Sequence, residues 1–374
     1  RDVQSSGPPM AGLLPVLLAV LSLSSITSGV SASQGDVNPF FLGCVGRCNS
    51  TGCVGVPALR LAGTASDCNA FCEPVRSRGG AGGVHGAVLA LSMWDCESDC
   101  KYRCMRVLSD HHAGSGKAPV KYYGKWPFKR VLGAQELLSS AFSLLNGAAH
   151  AHGLAKYMAI LGRLKQAERS PYQYPYHPAD LGAKGYPYRN LWLGYAMLNM
   201  ALWICSAIFH ARDTRVTEKL DYLSGNAVVA YSLWCALVRT SAWRERWKWT
   251  FAGSITAGLL ACHWLYMLGI KFDYGWNMVA SIIAGAAQAG VWVVWTFTAK
   301  PPFRRKLWLF WLGLHLSMAF ELLDFAPVLG LLDAHAMWHA VTPPLVVLWY
   351  QVLIADVSWI CKGSIALKGI DKII

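Results

Sequence analysis

Residues 190–210 read NLWLGYAMLNMALWICSAIFH, a stretch of 21 residues without a single Asp, Glu, Lys or Arg. About 20 consecutive apolar residues are enough for an α-helix to cross the hydrocarbon core of a bilayer. The stretch therefore predicts a membrane-spanning helix. The whole chain of 374 residues agrees, because 54% of its residues are hydrophobic and only 15% are charged. A soluble domain usually carries about 25% charged residues, so this composition argues against a soluble enzyme, a coiled coil or a disordered chain.

Six further stretches after Pro127 come close to spanning length. Together with the first they give seven predicted helices, at residues 131–153, 190–210, 224–240, 250–270, 276–298, 307–323 and 338–360. The first of the seven is the least apolar, because it contains Glu136, Asn146 and two histidines, and the third is short. We therefore predict an all-α membrane protein, in which residues 128–360 form a seven-transmembrane helix bundle.

Basic residues alternate between the loops that connect the predicted helices. Along the chain, the six loops and the tail contain 6, 3, 4, 1, 4, 0 and 3 Lys or Arg residues, with Arg239, at the end of the third predicted helix, counted in the third loop. Cytosolic loops of membrane proteins carry the excess of Lys and Arg, so the odd-numbered loops and the tail (residues 361–374) are predicted to be cytosolic. These short loops explain the net charge of +13 better than a nucleic-acid-binding face does, and we predict no nucleic-acid partner.

The N-terminal part of the chain has a different pattern. Residues 11–30 contain a short, strongly apolar core followed by small residues, which is typical of a secretory signal peptide with its cleavage site. Pro15 and a serine-rich end argue against an additional membrane span. We predict a signal peptide within residues 1–33, with Met10 as the candidate start, and a cysteine-rich lumenal domain over residues 34–127.

Eight of the 12 cysteines fall within a short part of this lumenal domain. They are Cys44, Cys48, Cys53, Cys68, Cys72, Cys96, Cys100 and Cys104. A dense, even set after a signal peptide indicates a disulfide framework. The C-x3-C spacing puts two thiols on one helix face, so two such helices can be joined face to face. Zinc is the alternative, but zinc sites usually use C-x2-C pairs. The pairing itself is left open. The sequon at Asn49 predicts a glycosylation site in the same domain.

Polar residues recur at the predicted lumenal ends of three helices. They are Ser206 and His210 at the end of the second, Asp221 at the start of the third, and His335 and His339 at the start of the last. Residues four apart share a helix face, and polar groups inside a bilayer need partners or a function. Three imidazoles at one depth suit catalytic zinc, which takes three protein ligands and keeps a fourth position open. A nearby carboxylate can carry a proton, and a hydroxyl can stabilise an oxyanion.

Each of these residues also has a purely structural interpretation. An H-x3-H spacing arises by chance on helices, Asp221 could pair with a nearby Arg or Lys, and Ser206 could hydrogen-bond its own helix. Glu136 could coordinate an ion or brace the bundle, and the sequence does not separate these roles. His263 and His315 stand alone in the fourth and sixth predicted helices, and we predict that they form interhelical hydrogen bonds.

Six blocks of sequence carry a resemblance to a known family. They are MWDCESDCKYRCM (93–105), GKWPF (124–128), FHARDT (209–214) with TEKLDY (217–222), KFDYGWN (271–277), ELLDFAP (321–327) and LDAHAMWH (332–339). Through these blocks, residues 34–360 resemble the Per-like family of post-GPI-attachment proteins. That family is part of a wider superfamily of seven-span hydrolases, which includes alkaline ceramidases and the progestin and adiponectin receptors.

The resemblance implies a GPI-specific phospholipase A2 of the Golgi or endoplasmic reticulum. Such an enzyme removes the sn-2 acyl chain from the phosphatidylinositol of GPI-anchored proteins. The resemblance also implies Zn²⁺ held by the three histidines, at 210, 335 and 339, and reaction roles for Ser206 and Asp221. An extra pair, Cys68 and Cys72, departs from the family pattern and leaves the details of the lumenal domain open.

Three other functions stay as alternatives at this point. A ceramide amidohydrolase would use the same five residues. A seven-span receptor with a structural zinc ion would keep the histidines without needing Asp221. A metal transporter predicts metal-binding groups that continue through the bundle, whereas the best cluster in this sequence lies at one end only.

Overall fold

The computed structural model describes residues 33–56, 59, 61–62, 92–168, 186–241 and 245–361. Within these ranges the chain is mostly helical, as predicted. Almost all of the predicted signal peptide, the pair Cys68 and Cys72, residues 169–185 of the first predicted cytosolic loop and the tail after Cys361 lie outside the described residues.

A small N-terminal domain precedes the helix bundle. It contains α1 (Pro39–Thr51), α2 (Cys96–Gly114) and an antiparallel pair of short strands, β1 (Gly55–Val56) and β2 (Leu61–Ala62). The Asn38 side chain caps the start of α1, and Gly52 ends that helix with a left-handed φ of 75°, which glycine adopts without strain. Asp95 and Ser98 form a capping box at the start of α2.

Disulfides join α1 to α2. The bridged pairs are Cys44 with Cys104 and Cys48 with Cys100, at Cα–Cα distances of 5.9 and 5.6 Å. Each helix contributes one C-x3-C pair, so the prediction of two helices joined face to face is confirmed, and the zinc alternative is wrong for these four thiols. Cys53 and Cys96 are disulfide-bonded as well. Phe41 and Leu108 are fully buried in the same small core.

The rest of the described chain forms a helix bundle. Its helices are α3 (Leu137–Glu168), α4 (Arg189–Ala211), α5 (Arg215–Thr240), α6 (Arg246–Gly269), α7 (Tyr274–Ala299), α8 (Arg304–Ser317), α9 (Ala319–Leu323) and α10 (Ala334–Ile360). Six of them form a ring, in which α3 packs against α4 and α10, α5 against α4 and α7, and α8 against α7 and α10. Helix α6 packs on α5 from outside the ring, and the short α9 follows α8 after a break at Met318.

Four of the described helices, α4, α6, α7 and α10, are long and apolar enough to cross a membrane. They indicate a multi-pass membrane protein. The predicted count of seven spans is not confirmed, although a helix lies at the place of each predicted span. Helix α3 carries several polar residues, α5 begins with several charged residues, and α8 has only 14 residues.

The N-terminal domain packs against one end of the bundle. The indole N–H of Trp94 donates to the backbone oxygen of Gly133 at 2.9 Å, and Nε of Arg212 donates to the backbone oxygen of Met93 at 3.3 Å. The guanidinium groups of Arg130 and Arg212 lie 4.3 and 4.2 Å from the centre of the Trp94 ring. Because Arg212 directly follows α4, the N-terminal domain lies against the end of the bundle where α4 ends.

The opposite end of the bundle contains a buried ion pair. Nε of Arg239 on α5 donates to Oδ2 of Asp356 on α10 at 2.8 Å, and both residues are buried. The Tyr186 hydroxyl donates to the same carboxylate oxygen at 2.5 Å. The Arg239 guanidinium also lies 4.7 Å from the centre of the Trp295 ring. These contacts connect α5 to α10 far from the N-terminal domain.

Candidate metal centre

The starts and ends of two helices position the three predicted histidines. Oδ1 of Asp333 accepts a hydrogen bond from the backbone nitrogen of Ala336 at 2.8 Å, so Asp333 caps the start of α10. His335 and His339 consequently lie one helical turn apart on the same face of α10. Helix α4 ends at Ala211, which places His210 in its last turn at the same end of the bundle.

The structure brings these three histidines together. Nε2 of His335 lies 3.3 Å from Nε2 of His210 and 2.9 Å from Nε2 of His339. One ring nitrogen from each residue lies within 4.8 Å of the other two. His210 and His339 are buried, with 3% and 1% of their surface exposed, and His335 is half-buried.

A carboxylate contacts one of these rings at the nitrogen that does not face the other histidines. Oε2 of Glu136 lies 2.7 Å from Nδ1 of His210. A carboxylate only accepts hydrogen bonds, so in a neutral imidazole Nδ1 carries the proton and the lone pair of Nε2 is free. That lone pair faces His335. Of the two roles that the sequence left open for Glu136, the structure favours bracing, directed at the ring of His210.

Glu136 is in turn paired with a lysine that precedes the bundle. Nζ of Lys125 lies 2.9 Å from Oε1 of Glu136 and 2.9 Å from Oδ2 of Asp213. Burial by itself lowers the pKa of Lys125, but the two carboxylates together raise that pKa well above its ordinary value. Lys125 therefore stays protonated, and a chain of two contacts links it through Glu136 to His210.

The two remaining predicted residues lie beside the histidines. Oγ of Ser206, one turn before His210 on α4, is 3.1 Å from Oγ of Ser143 on α3. Asp221, in the second turn of α5, lies close enough to Ser206, His210 and His335 to interact with them electrostatically. All five residues that the sequence pattern grouped are therefore neighbours at one end of the bundle.

Two polar residues of α3 were missed by the sequence analysis as part of this cluster. Oγ of Ser143 lies 3.5 Å from Nδ1 of His339, and the Asn146 amide donates to the backbone oxygen of His339 at 2.9 Å. The sequence contains a pattern that indicates them, because polar residues recur along α3 with helical spacing and so form a stripe on one face. Its members, all buried, are Glu136, Ser139, Ser143, Asn146 and His150.

The chemistry and spacing of the histidine cluster fit a zinc ion. Imidazole nitrogens that bind a tetrahedral zinc ion at about 2.0–2.1 Å lie about 3.3–3.4 Å from one another. The Nε2 atoms of His210 and His335 are 3.3 Å apart and those of His335 and His339 are closer, at 2.9 Å. A carboxylate behind a histidine is the usual device that orients zinc ligands. Within the described part of the chain the group has three members, so a tetrahedral zinc ion held by them would keep one position for water or substrate.

The two lone histidines behave differently from each other. Nε2 of His263 on α6 lies 3.1 Å from Oδ1 of Asn277 on α7, so the predicted interhelical contact is confirmed. Nδ1 of His315 lies 2.7 Å from the backbone oxygen of Trp311, one turn earlier on its own helix. The prediction of an interhelical bond is wrong for His315, because a carbonyl of the preceding turn is within reach of its ring.

Comparison with known proteins gives consistent matches along the chain. A model of the Per1-like family matches residues 86–357. The mouse protein named GPI-specific phospholipase A2-like PGAP3 is 32% identical over 360 residues, which cover 96% of this chain and 98% of that protein. The human protein of the same name is 32% identical over 357 residues, covering 95% and 98%. The Protein PER1 homolog of Schizosaccharomyces pombe is 31% identical over 361 residues, covering 93% and 95%. No solved structure matches the chain significantly.

Proposed function

This chain belongs to the Per1-like family, and on that premise we propose that it remodels GPI anchors by zinc-dependent hydrolysis of an acyl ester. The bond would be the sn-2 ester of the phosphatidylinositol that anchors GPI-linked proteins. The names of the mouse and human relatives, which specify a GPI-specific phospholipase A2-like protein, support this choice of lipid and bond. The proposed substrates are accordingly GPI-anchored proteins and their phosphatidylinositol lipid.

One observation carries the proposal. Three imidazoles from α4 and α10 meet within 4.8 Å, next to a hydroxyl and a carboxylate from α4 and α5. A structural cluster of histidines would not need both a proton carrier and a hydrogen-bond donor at its edge. This combination is what a metal-assisted hydrolase requires.

Each residue of the site has its own role in the proposed reaction. A bound Zn²⁺ would supply Lewis acidity, which makes water nucleophilic near neutral pH. Asp221 accepts the proton of the attacking water and returns it to the alcohol oxygen that leaves. Ser206 donates its hydroxyl hydrogen to the oxyanion that develops on the ester carbonyl. Glu136 keeps the His210 ring in the orientation in which Nε2 faces the other two histidines.

The membrane depth that we infer for the site supports this choice of substrate. The ester bonds of a phospholipid lie near the boundary between headgroups and acyl chains, at the depth where spanning helices begin and end. We assign this end to the lumen of the Golgi or endoplasmic reticulum, because disulfides persist in oxidising compartments and the basic loops favour the other side. The tail (361–374) is then cytosolic, and Asn49, exposed on α1, would be glycosylated.

The experiment compares three variants in cells that lack the endogenous activity. His335→Ala and Asp221→Asn are each expressed with a GPI-anchored reporter, and the acyl chains of its phosphatidylinositol are analysed by mass spectrometry. We expect both variants to leave the sn-2 chain in place. The matched control is His152→Ala, an exposed histidine of α3 outside the site, which should remodel the lipid like the wild type. Full remodelling by His335→Ala at normal expression would rule the proposal out.

The alternatives give different results with the same variants. A ceramide amidohydrolase would release fatty acid from ceramide while the GPI lipid stays intact. A receptor with a structural zinc ion would tolerate Asp221→Asn. A metal transporter would carry zinc into proteoliposomes, which the proposed hydrolase would not do.

A further inference from the structure

A tight turn lies directly before the first helix of the bundle. The backbones of Val131 and Ala134 exchange hydrogen bonds of 3.0 and 2.9 Å. Between them, Leu132 and Gly133 have φ angles of 51° and 82°. Two central residues with positive φ define a type I′ turn, whose first central position strongly favours Asn, Asp or Gly. Leucine, which carries a Cβ, is strained there.

A second turn with the same combination lies directly before the last helix. The backbone nitrogen of Leu331 donates to the backbone oxygen of Val328 at 3.1 Å. The residues between them, Leu329 and Gly330, have φ angles of 56° and 75°. A leucine in the left-handed conformation followed by a glycine therefore occurs twice, at corresponding places before α3 and α10.

Within the described chain, neither leucine side chain is buried by packing that could offset the strain of its backbone conformation. Leu132 is 82% exposed and Leu329 is 80% exposed, the two highest values among the large apolar side chains that the structure describes. A single exposed leucine needs no explanation. An exposed leucine that is also held in a strained backbone conformation needs an explanation, because residues with such strain cluster at functional sites.

The location of the two turns indicates what the leucines contact. Leu132 lies four residues before Glu136, and Leu329 lies four residues before Asp333, the cap of the candidate span α10. The two turns are also connected, since the backbone nitrogen of Lys129 donates to the backbone oxygen of Gly330 at 2.8 Å. Residues this close to the start of a spanning helix lie at the boundary between the headgroups and the hydrocarbon core.

We propose that Leu132 and Leu329, the leucine tips, insert into the acyl-chain region of the bilayer leaflet next to the metal centre. Their partner is the membrane lipid itself. Insertion would remove two large apolar side chains from water, which offsets the cost of their backbone conformation. It would also hold the site end of the bundle at a fixed depth in that leaflet. The proposal does not depend on the hydrolase activity.

A third turn of the same type provides a matched control. Tyr123 and Gly124 have φ angles of 50° and 80°, and this turn lies on the N-terminal domain. Tyr123 is less exposed than the two leucines, at 55%. Its ring is 6.0 Å from the ring of Phe41 and 5.5 Å from Nζ of Lys101, so the protein itself supplies part of its contacts. The proposal predicts lipid contact at the leucine tips and none at Tyr123.

The first experiment measures lipid contact directly. A leucine analogue with a photoreactive diazirine is incorporated at position 132, 329 or 123 of the full chain, which is reconstituted in nanodiscs of phosphatidylcholine and phosphatidylinositol. After illumination, mass spectrometry quantifies covalent lipid adducts. We expect adducts at positions 132 and 329 to exceed those at position 123 by at least five-fold. Equal yields at the three positions, or crosslinks to a second copy of the chain in place of lipid, would overturn the proposal.

The second experiment separates lipid contact from a structural role. Asn is favoured at the strained position, so the double variant Leu132→Asn with Leu329→Asn should be at least as heat-stable as the wild type in detergent. The same variant should gain less thermal stability than the wild type when phospholipid is added. A variant that is less stable in detergent, or that gains as much from phospholipid as the wild type, contradicts the insertion of the tips.

Discussion

Oε2 of Glu136 lies 2.7 Å from Nδ1 of His210, and this contact connects the histidine cluster to the rest of the protein. The other oxygen of the same carboxylate accepts from Lys125 at 2.9 Å, in the segment that leads from the N-terminal domain into the bundle. The cysteine-rich domain and the candidate metal centre are therefore joined by a buried carboxylate. A change at either end of this contact should alter the geometry of the site.

The first prediction concerns Glu136→Gln. A glutamine side chain has the same size but no charge, and its amide can donate to Nδ1 of His210. Nδ1 would then carry the lone pair and Nε2 the proton, so that no lone pair of this ring would face the other two histidines. Loss of a carboxylate behind a zinc ligand typically costs about 10–100-fold in metal affinity. We expect that loss in a zinc competition titration with a coloured chelator, on purified protein.

The matched control for that titration is Glu97→Gln. Glu97 is an exposed residue of α2 that pairs with Lys101 on the same helix, and its loss should leave zinc affinity unchanged. Equal affinities for the wild type and Glu136→Gln would mean that Glu136 does not orient His210.

The second prediction concerns Lys125 and pH. Because its pKa in the folded protein is raised, its contribution to stability is complete below the ordinary lysine pKa of about 10.4. That contribution is lost only as the pH rises through the higher folded value. Between about pH 6 and pH 9, Lys125 should therefore add nothing to the slope of stability against pH.

The variant Lys125→Met tests the same contact at a fixed pH. It removes the cation that pairs with Glu136 and Asp213, and we expect a lower melting temperature in detergent together with weaker zinc binding. Lys117→Met, an exposed lysine of the N-terminal domain, is the control and should melt like the wild type. A wild-type melting temperature and zinc affinity for Lys125→Met would contradict the role assigned to this contact.

Hydropathy and helical spacing predicted much of this architecture. The stretch 190–210 lies within α4, and the C-x3-C pairs lie on two helices that are joined by disulfides. The spacing of His335 and His339 placed them on one face, and the alternation of basic loops placed that face at the same end as His210. Each of these inferences rests on a short-range pattern, which a sequence displays directly.

Contacts between distant helices could not be read in the same way. Arg239 was counted as a residue of a basic loop, whereas it is buried in α5 and paired with Asp356. The pairing of Glu136 with His210 and the contact of Ser143 with His339 join residues that only the packing of the bundle brings together. The break between α8 and α9 at Met318 also interrupts a stretch that was predicted as one helix.

The third prediction concerns the disulfide framework. Replacing Cys48 and Cys100 together by Ser removes a bridge between residues 52 positions apart, and a native disulfide of this kind contributes about 2–4 kcal/mol. We expect the N-terminal domain to become sensitive to proteolysis at a lower temperature. Cys262→Ser, a free and exposed cysteine of α6, is the control and should change nothing. Unaltered protease resistance in the double variant would show that the remaining bridges suffice.

The fourth prediction concerns the ion pair at the other end of the bundle. Asp356→Asn leaves the buried guanidinium of Arg239 without its charge partner, and breaking one side of a buried pair typically costs about 3–5 kcal/mol. We expect a clear fall in the melting temperature of the protein in detergent. Replacing both partners, with Arg239→Met and Asp356→Leu, removes the uncompensated charge and should recover much of that loss.

Recovery in the double variant should be partial, because the Tyr186 hydroxyl also donates to Asp356 and would lose its acceptor. Zinc affinity should stay at the wild-type level in both variants, since the pair lies at the end of the bundle opposite the histidines. A double variant that melts below Asp356→Asn would mean that the pair itself, through its geometry, stabilises the packing of α5 against α10. Loss of zinc binding in either variant would instead mean that the two ends of the bundle are coupled.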